Sequence, residues 1–136
     1  MSKRVALLII FTICIGVNLT ACKDVEKPSN SPVDVTESFF SAFETSDYEA
    51  MKAYCTEECI ERFFHSGDVD GMVWAKLTEC FEEEIIDDNT VAVPVSVEME
   101  TAETSALYPE TETSFYVVLI HGDDDIWRIN DFPTGL

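Results

Sequence analysis

Basic residues are scarce in this chain: 136 residues carry 8 Lys and Arg and 2 His against 27 Asp and Glu, a net charge of −19. That shortage excludes nucleic acid as a partner, because phosphates would be repelled. It also excludes flat docking on an anionic membrane surface. Past residue 21 there is no long apolar run, and there are no internal repeats or low-complexity tracts, which excludes solenoid architectures. Catalytic signatures are missing too. The sequence has no G-x-S-x-G elbow and no recognisable Ser–His–Asp grouping. Cys59 and His65 have nothing to orient them as a nucleophile pair, and His65 and His121 read as surface residues. A thiolate–zinc site wants four ligands at set spacings, and His65 completes none. The acidic groups Glu82-Glu83-Glu84 with Asp87-Asp88, and Asp123-Asp124-Asp125, lack the alternating D-x-D-x-D-G pattern of a calcium loop and read as solvated faces. No catalytic residue, metal ligand or cofactor is assigned.

What is present begins at the N-terminus. Lys3 and Arg4 form a basic start, and Val5 to Val17 is an apolar run of the length of a signal h-region. It is short of the roughly 20 apolar residues that a membrane span requires. Leu19-Thr20-Ala21-Cys22 follows: an apolar residue, two small ones and a cysteine. This resembles the lipobox of bacterial lipoproteins, which implies cleavage before Cys22 and lipidation of that residue. The expected organisation is a signal peptide over 1–21, a tether over 22–31 and one domain over 32–136. Location would be the extracytoplasmic face of the cell membrane, held by the lipid. Loss of Lys3 and Arg4 takes the net charge to about −21.

Cys14 lies in the leader and Cys22 carries the lipid, leaving Cys55, Cys59 and Cys80. An odd number cannot all pair within one chain. Two readings stand: a disulfide joining Cys80 to Cys59 or Cys55, as an oxidising compartment permits, or three buried thiols.

The domain reads as helices followed by strands. Ser31 caps a helix with Pro32 at its first position and Asp34 in its first turn. Val35, Phe39, Ala42 and Phe43 form its apolar face, widened by Phe40. Ser46-Asp47-Tyr48-Glu49 has the capping-box pattern, with Ser46 as cap, before a second helix that buries Tyr48, Met51, Tyr54 and Cys55. Thr56 caps a third, facing Cys59, Ile60, Phe63 and Phe64 inward, and Gly67 and Gly71 end the helical half. From Met72 the period is two, with Val73, Ala75 and Leu77 on one face and strand character continuing through Phe81 to Ile86. Asp87-Asp88-Asn89 is a turn. Val91, Val93, Val95, Val97 and Met99 then share a face, and Pro94 puts this strand at an edge or at a bend. Residues 101–113 are an acidic connection with an apolar tip, Leu107-Tyr108-Pro109. Ser114 to His121 is apolar on both faces, as in a central strand. Gly122 to Asp125 turns into a last strand, Ile126 to Phe132.

Helices followed by antiparallel strands predict an α+β fold, with N-terminal helices packed on a curved antiparallel sheet. The opening, Val35 to Tyr54 with Ser-Asp-Tyr between two helices, and the ending, Gly122-Asp-Asp-Asp-Ile-Trp-Arg-Ile-Asn, resemble the nuclear-transport-factor-2-like superfamily. These are cone-shaped domains that include ketosteroid isomerases and polyketide cyclases. The resemblance implies an apolar pocket inside the cone, with Phe39, Phe43, Tyr48, Tyr54, Trp74 and Tyr116 as its aromatic lining. In the competing reading those rings simply fill the core. Trp127 is assigned to the packing of the final hairpin. The enzymes of the superfamily use a carboxylate base or an Asp–His pair in the cone, and no residue here matches that pattern position by position. An enzyme would require a buried carboxylate or histidine with a displaced pKa.

The expectation is a lipid-anchored binding or accessory domain that takes a small apolar ligand or a peptide at the cone mouth, near Tyr48, Tyr54 and Trp74. The alternative is a module that docks an envelope protein or a second copy of itself, as a homodimer, through its outer sheet face or its 101–113 loop. Beyond these, its contact with the membrane is through the lipid on Cys22.

Overall fold

Ser31 starts the first helix as the sequence signals require. In the computed structural model, which describes residues 30–103 and 113–136, its backbone is extended and its side chain accepts from Asp34 N–H. The expected signal peptide, Cys22, nearly all of the expected tether and the 107–109 tip lie outside the described residues. Helix α1 (Pro32–Glu44) is followed by α2 (Tyr48–Lys52) and α3 (Glu57–Phe63), and then by strands β1 (Phe64–His65), β2 (Asp68–Val69), β3 (Met72–Cys80), β4 (Glu84–Asp87), β5 (Thr90–Thr101), β6 (Thr113–His121) and β7 (Trp127–Asp131). The strands form one curled antiparallel sheet in the order β1-β2-β3-β5-β6-β7, so the chain is α+β.

Two local expectations need correction. The cap of α2 is Asp47, whose carboxylate accepts from Ala50 N–H. Ser46 sits one residue earlier in the left-handed region (φ 54) and donates instead to the Val73 carbonyl at 3.0 Å. The strand after Met72 does not run on to Ile86. It breaks at 81–83, so that β3 pairs Val95 to Thr101 of β5 while β4 pairs Thr90 to Ala92. Pro94 falls in that interval. β5 is therefore a central strand, with β6 on its other side. Pro94 O accepts from Phe81 N–H, and the N and O of a strand residue point the same way, so the missing donor faces the break.

Bulges between Met72 and Trp74 and between Leu77 and Glu79 shift the register of β3, which buries Met72 and Ala75 while Val73 is only half-buried. Along β5 Val91, Val93, Val95 and Val97 are all buried, but so are Ala92 and Ser96 of the opposite face, while Met99 is half-buried.

α1 packs across β3, β5 and β7. It delivers Phe39, Phe40 and Phe43, each no more than 1% exposed, into the sheet's inner face. Phe39 meets Phe132 at 5.6 Å between ring centres, Phe40 meets Phe115 at 6.2 Å, and Phe63 meets Phe132 at 5.3 Å. These rings fill the interior. A space of about 20 Å³ lies beside them, bounded by Asp70, Met72, Met99, Thr113, Phe115, Phe132 and Thr134, room for about one water molecule.

Candidate functional site: a groove between helices and the last hairpin

The six aromatic residues expected to line one pocket do not converge. Phe39 and Phe43 are in the solid core. Tyr48 donates to the Val73 carbonyl at 2.6 Å, with the Gly67 carbonyl at 3.0 Å, and so ties α2 to the start of the sheet. Trp74 donates to its cross-strand neighbour Glu100 at 2.8 Å. Tyr116 lies on the outer face, beside a shallow depression shared with Phe81, Pro94 and Ser96. The physical reason is volume: three phenylalanines from α1 occupy the space that a ligand would need. Tyr54 alone reaches a larger opening.

That opening is a groove of about 490 Å³ lined by Asn30, Asp34, Val35, Ser38, Ala53, Tyr54, Asp124, Asp125, Ile126 and Trp127. Three parts of the chain meet there: the first turns of α1, the exit of α2, and the β6–β7 hairpin. Each is fixed by backbone bonding. Ile129 N–H donates to Tyr54 O (2.8 Å) and Thr56 N–H to Ile129 O (2.9 Å), so that Cys55 bridges β7 and holds the Tyr54 segment along it. Asn30 spans the other wall. Its amide donates to Asp125 O at 2.6 Å, and its carbonyl oxygen accepts from Trp127 N–H at 3.3 Å.

The hairpin itself is over-determined. Arg128 grips Asp124 with two bonds of 3.0 and 2.7 Å, and Asp124 also accepts from Ile126 N–H. The Arg128 bond holds the Asp124 carboxyl below its usual range and raises the guanidinium in turn. Asp125 takes the left-handed backbone (φ 63) that closes the turn. His121 places Nε2 2.8 Å from the Asp125 carboxylate and lays its ring on Trp127, 4.6 Å between centres. Trp127 is thus held as one wall of the groove. The sequence assigned it to packing; the missed signal was Ile126, an exposed apolar residue beside it.

Elsewhere, Asp70 borders the small interior space in a left-handed conformation (φ 51). Burial, with Asp131 and Asp68 adding, pushes its carboxyl up to about 6, against the pull of His65 and Arg62. This is the displaced carboxylate that an enzyme would need, but about 20 Å³ gives no substrate room beside it among the described residues.

Cys55, Cys59 and Cys80 are free thiols. The Cys55 thiol donates to the Met51 carbonyl at 3.5 Å, and the neighbouring Cys59 thiol together with burial pushes it far above the ordinary thiol range. Cys80 sits apart. It pairs with Val95 and thence Phe115, whereas Cys55 bridges Ile129, which pairs with Leu119. Four residues of rise, about 13 Å, and three or more strand spacings separate the two sites. A disulfide tolerates a Cα separation of about 7 Å, and in this structure Cys80 is bonded to neither Cys55 nor Cys59. Burial and the nearby Glu37 carboxylate raise the Cys80 thiol to about 11.

Among the described residues, no helix is long and apolar enough to cross a membrane. Compared with known protein families and with curated protein sequences, the chain matches none.

Proposed function

We propose that this chain is a lipid-anchored, extracytoplasmic binding module of the nuclear-transport-factor-2-like kind, and that its ligand occupies the Tyr54–Trp127 groove. One observation carries the reading. The interior is filled by phenylalanine rings, whereas a groove of about 490 Å³ stands open beside Trp127, within the range of about 300–1,000 Å³ common for small-molecule sites. The family assignment is supported by α1 lying against a curled antiparallel sheet and by Trp127 and Ile129 in its last hairpin. The anchor is supported by the Leu19-Thr20-Ala21-Cys22 sequence. Asn30 lines the groove and follows Cys22 by eight residues, so a lipid on Cys22 keeps the groove within about 30 Å of the bilayer.

Expression in a bacterial host tests the anchor. The protein should partition with membranes, and Cys22→Ser should release it; equal partitioning of both would refute lipid anchoring. Alanine at Trp127 should abolish small-ligand binding while Trp74→Ala leaves it intact, and the reverse pattern would move the site to the β3–β5 face.

A second reading is favoured by a different observation. Among the described residues β4 pairs only with β5, and Phe81, Ile85 and Ile86 around it are 49%, 81% and 48% exposed. An open strand edge with apolar side chains is where a protein partner or a second copy would add. Five carboxylates, Glu82 to Glu84, Asp87 and Asp88, flank those residues. They set like charges against one another in a homodimer built through this edge.

A further inference from the structure

β4 is bonded along one edge. Ile85 stands opposite Val91 of β5, and among the described residues no strand pairs with the other edge. The backbone N–H and C=O groups there are a template for an added strand. Cross-strand partners share a face of the sheet. Val91 is 5% exposed, whereas Ile85 opposite it is 81% exposed. α1 covers β3, β5 and β7, so the buried face runs on to an isoleucine that the helices leave open.

Charge selects the strand that fits. Every residue from Phe81 to Asn89 is exposed, Glu82, Glu83, Glu84, Asp87 and Asp88 among them. Asp87 accepts from Asn89 N–H at 2.9 Å within the turn. The ion pairs among the described residues engage none of these five carboxylates. The sequence has no Lys or Arg between Lys76 and Arg128, so β4, β5 and β6 bring no such counter-charge of their own. A second copy would set the carboxylates against themselves, and like charges across a strand pair are destabilising. A neutral strand would gain backbone bonds and the cover of Ile85. A basic strand would gain both and the attraction of the carboxylates as well.

We propose that the open edge of β4 receives an extended, lysine- or arginine-bearing segment of another protein. The segment pairs with Glu84–Asp87 backbone to backbone, covers Ile85 with an apolar side chain and sets its basic side chains against the flanking carboxylates. This deepens the β4-edge reading above and rests on it, and the test separates the two. The ¹⁵N-labelled full chain would be titrated at neutral pH and low salt with three capped hexapeptides, following the amide signals of Glu84 to Asp87. One alternates lysine and valine, one alternates glutamate and valine, and one is the lysine peptide with every amide nitrogen methylated. The lysine peptide should bind about ten-fold more tightly than its methylated form, which can donate no backbone bond. It should lose about ten-fold in affinity from 20 to 200 mM NaCl as the carboxylates are screened, and the glutamate peptide should not bind. Glu83→Gln with Glu84→Gln should weaken the lysine peptide at low salt. Equal binding of the lysine peptide and its methylated form would overturn strand addition. Equal binding of the glutamate and lysine peptides would overturn the basic partner and leave the docking edge standing. Signals that move with chain concentration and with no peptide would do the same, in favour of a second copy. No movement with any peptide at millimolar concentration, or with chain concentration, would overturn both.

Discussion

Asp70 is held away from its preferred state twice over, in its left-handed backbone and in a carboxyl raised to about 6. A carboxyl raised in the fold above its unfolded value of 3.8 favours the protonated native state, so stability is lost above pH 6 and regained as pH falls through 6 toward 4. Asp70→Asn removes the penalty and keeps a residue that tolerates positive φ. Discounted for the solvent still reaching this half-buried group, the gain at pH 7.5 should be about 1 kcal/mol. Denaturant titrations should show it fading near pH 4. An equal gain at both pH values would contradict the assignment. None of this was legible in the sequence, because Asp68, Asp70 and Asp131 come together only through the β1–β3 turns and the far end of β7. The cysteines make the same point. Cys55 and Cys59 flank the Thr56 cap, which turns the chain so that both thiols face the core. In the folded chain a thiol-alkylating reagent should modify Cys80 ahead of the buried Cys55 and Cys59, which should react only on unfolding. Alkylation of Cys55 or Cys59 before Cys80 on peptide mapping would contradict the placement.

At the scale of elements, most of the plan could be read from periodicity and caps. Ser31 and Pro32 marked the start of α1 and Thr56 that of α3, where each follows from a side chain bonding its own helix. The valine alternation of β5 was equally plain. Ser46 and Asp47 were both competent caps, and the choice between them was made by the distant Val73 carbonyl, which claims the Ser46 hydroxyl. Pro94 was read as an edge or a bend because a local rule sees only the missing donor. The structure solves the same problem by splitting the neighbouring strand. Two substitutions check this level. Asp47→Ala should cost about 1 kcal/mol through the lost cap. Phe39→Ala, which empties the centre of the ring cluster, should cost about 3–5 kcal/mol. A cost under about 1 kcal/mol for Phe39→Ala would mean that the interior is not the tightly filled core described above.

The whole molecule is set by charge and by where distant segments meet. A net charge near −19 makes the folded chain repel itself, so its melting temperature should rise by a few degrees from 20 to 200 mM NaCl as screening tightens; a fall would point to ion pairs dominating. The α+β class was legible because it needs only the order of the elements. The groove was not, since Asn30 reaches Asp125 and Trp127, 95 and 97 positions away, through one hydrogen bond to each from its side-chain amide. Nor could the sequence show that the interior behind the curled sheet is full, which depends on three phenylalanines of one helix turning toward the same space. That contrast between a filled interior and an open groove is the centre of the account. Crystals of the full chain soaked with a mixed set of small aromatic fragments test it most directly. Density between Tyr54, Ile126 and Trp127 is the expected result; density among Phe39, Phe115 and Phe132, on the Tyr116 face, or at no site would contradict it.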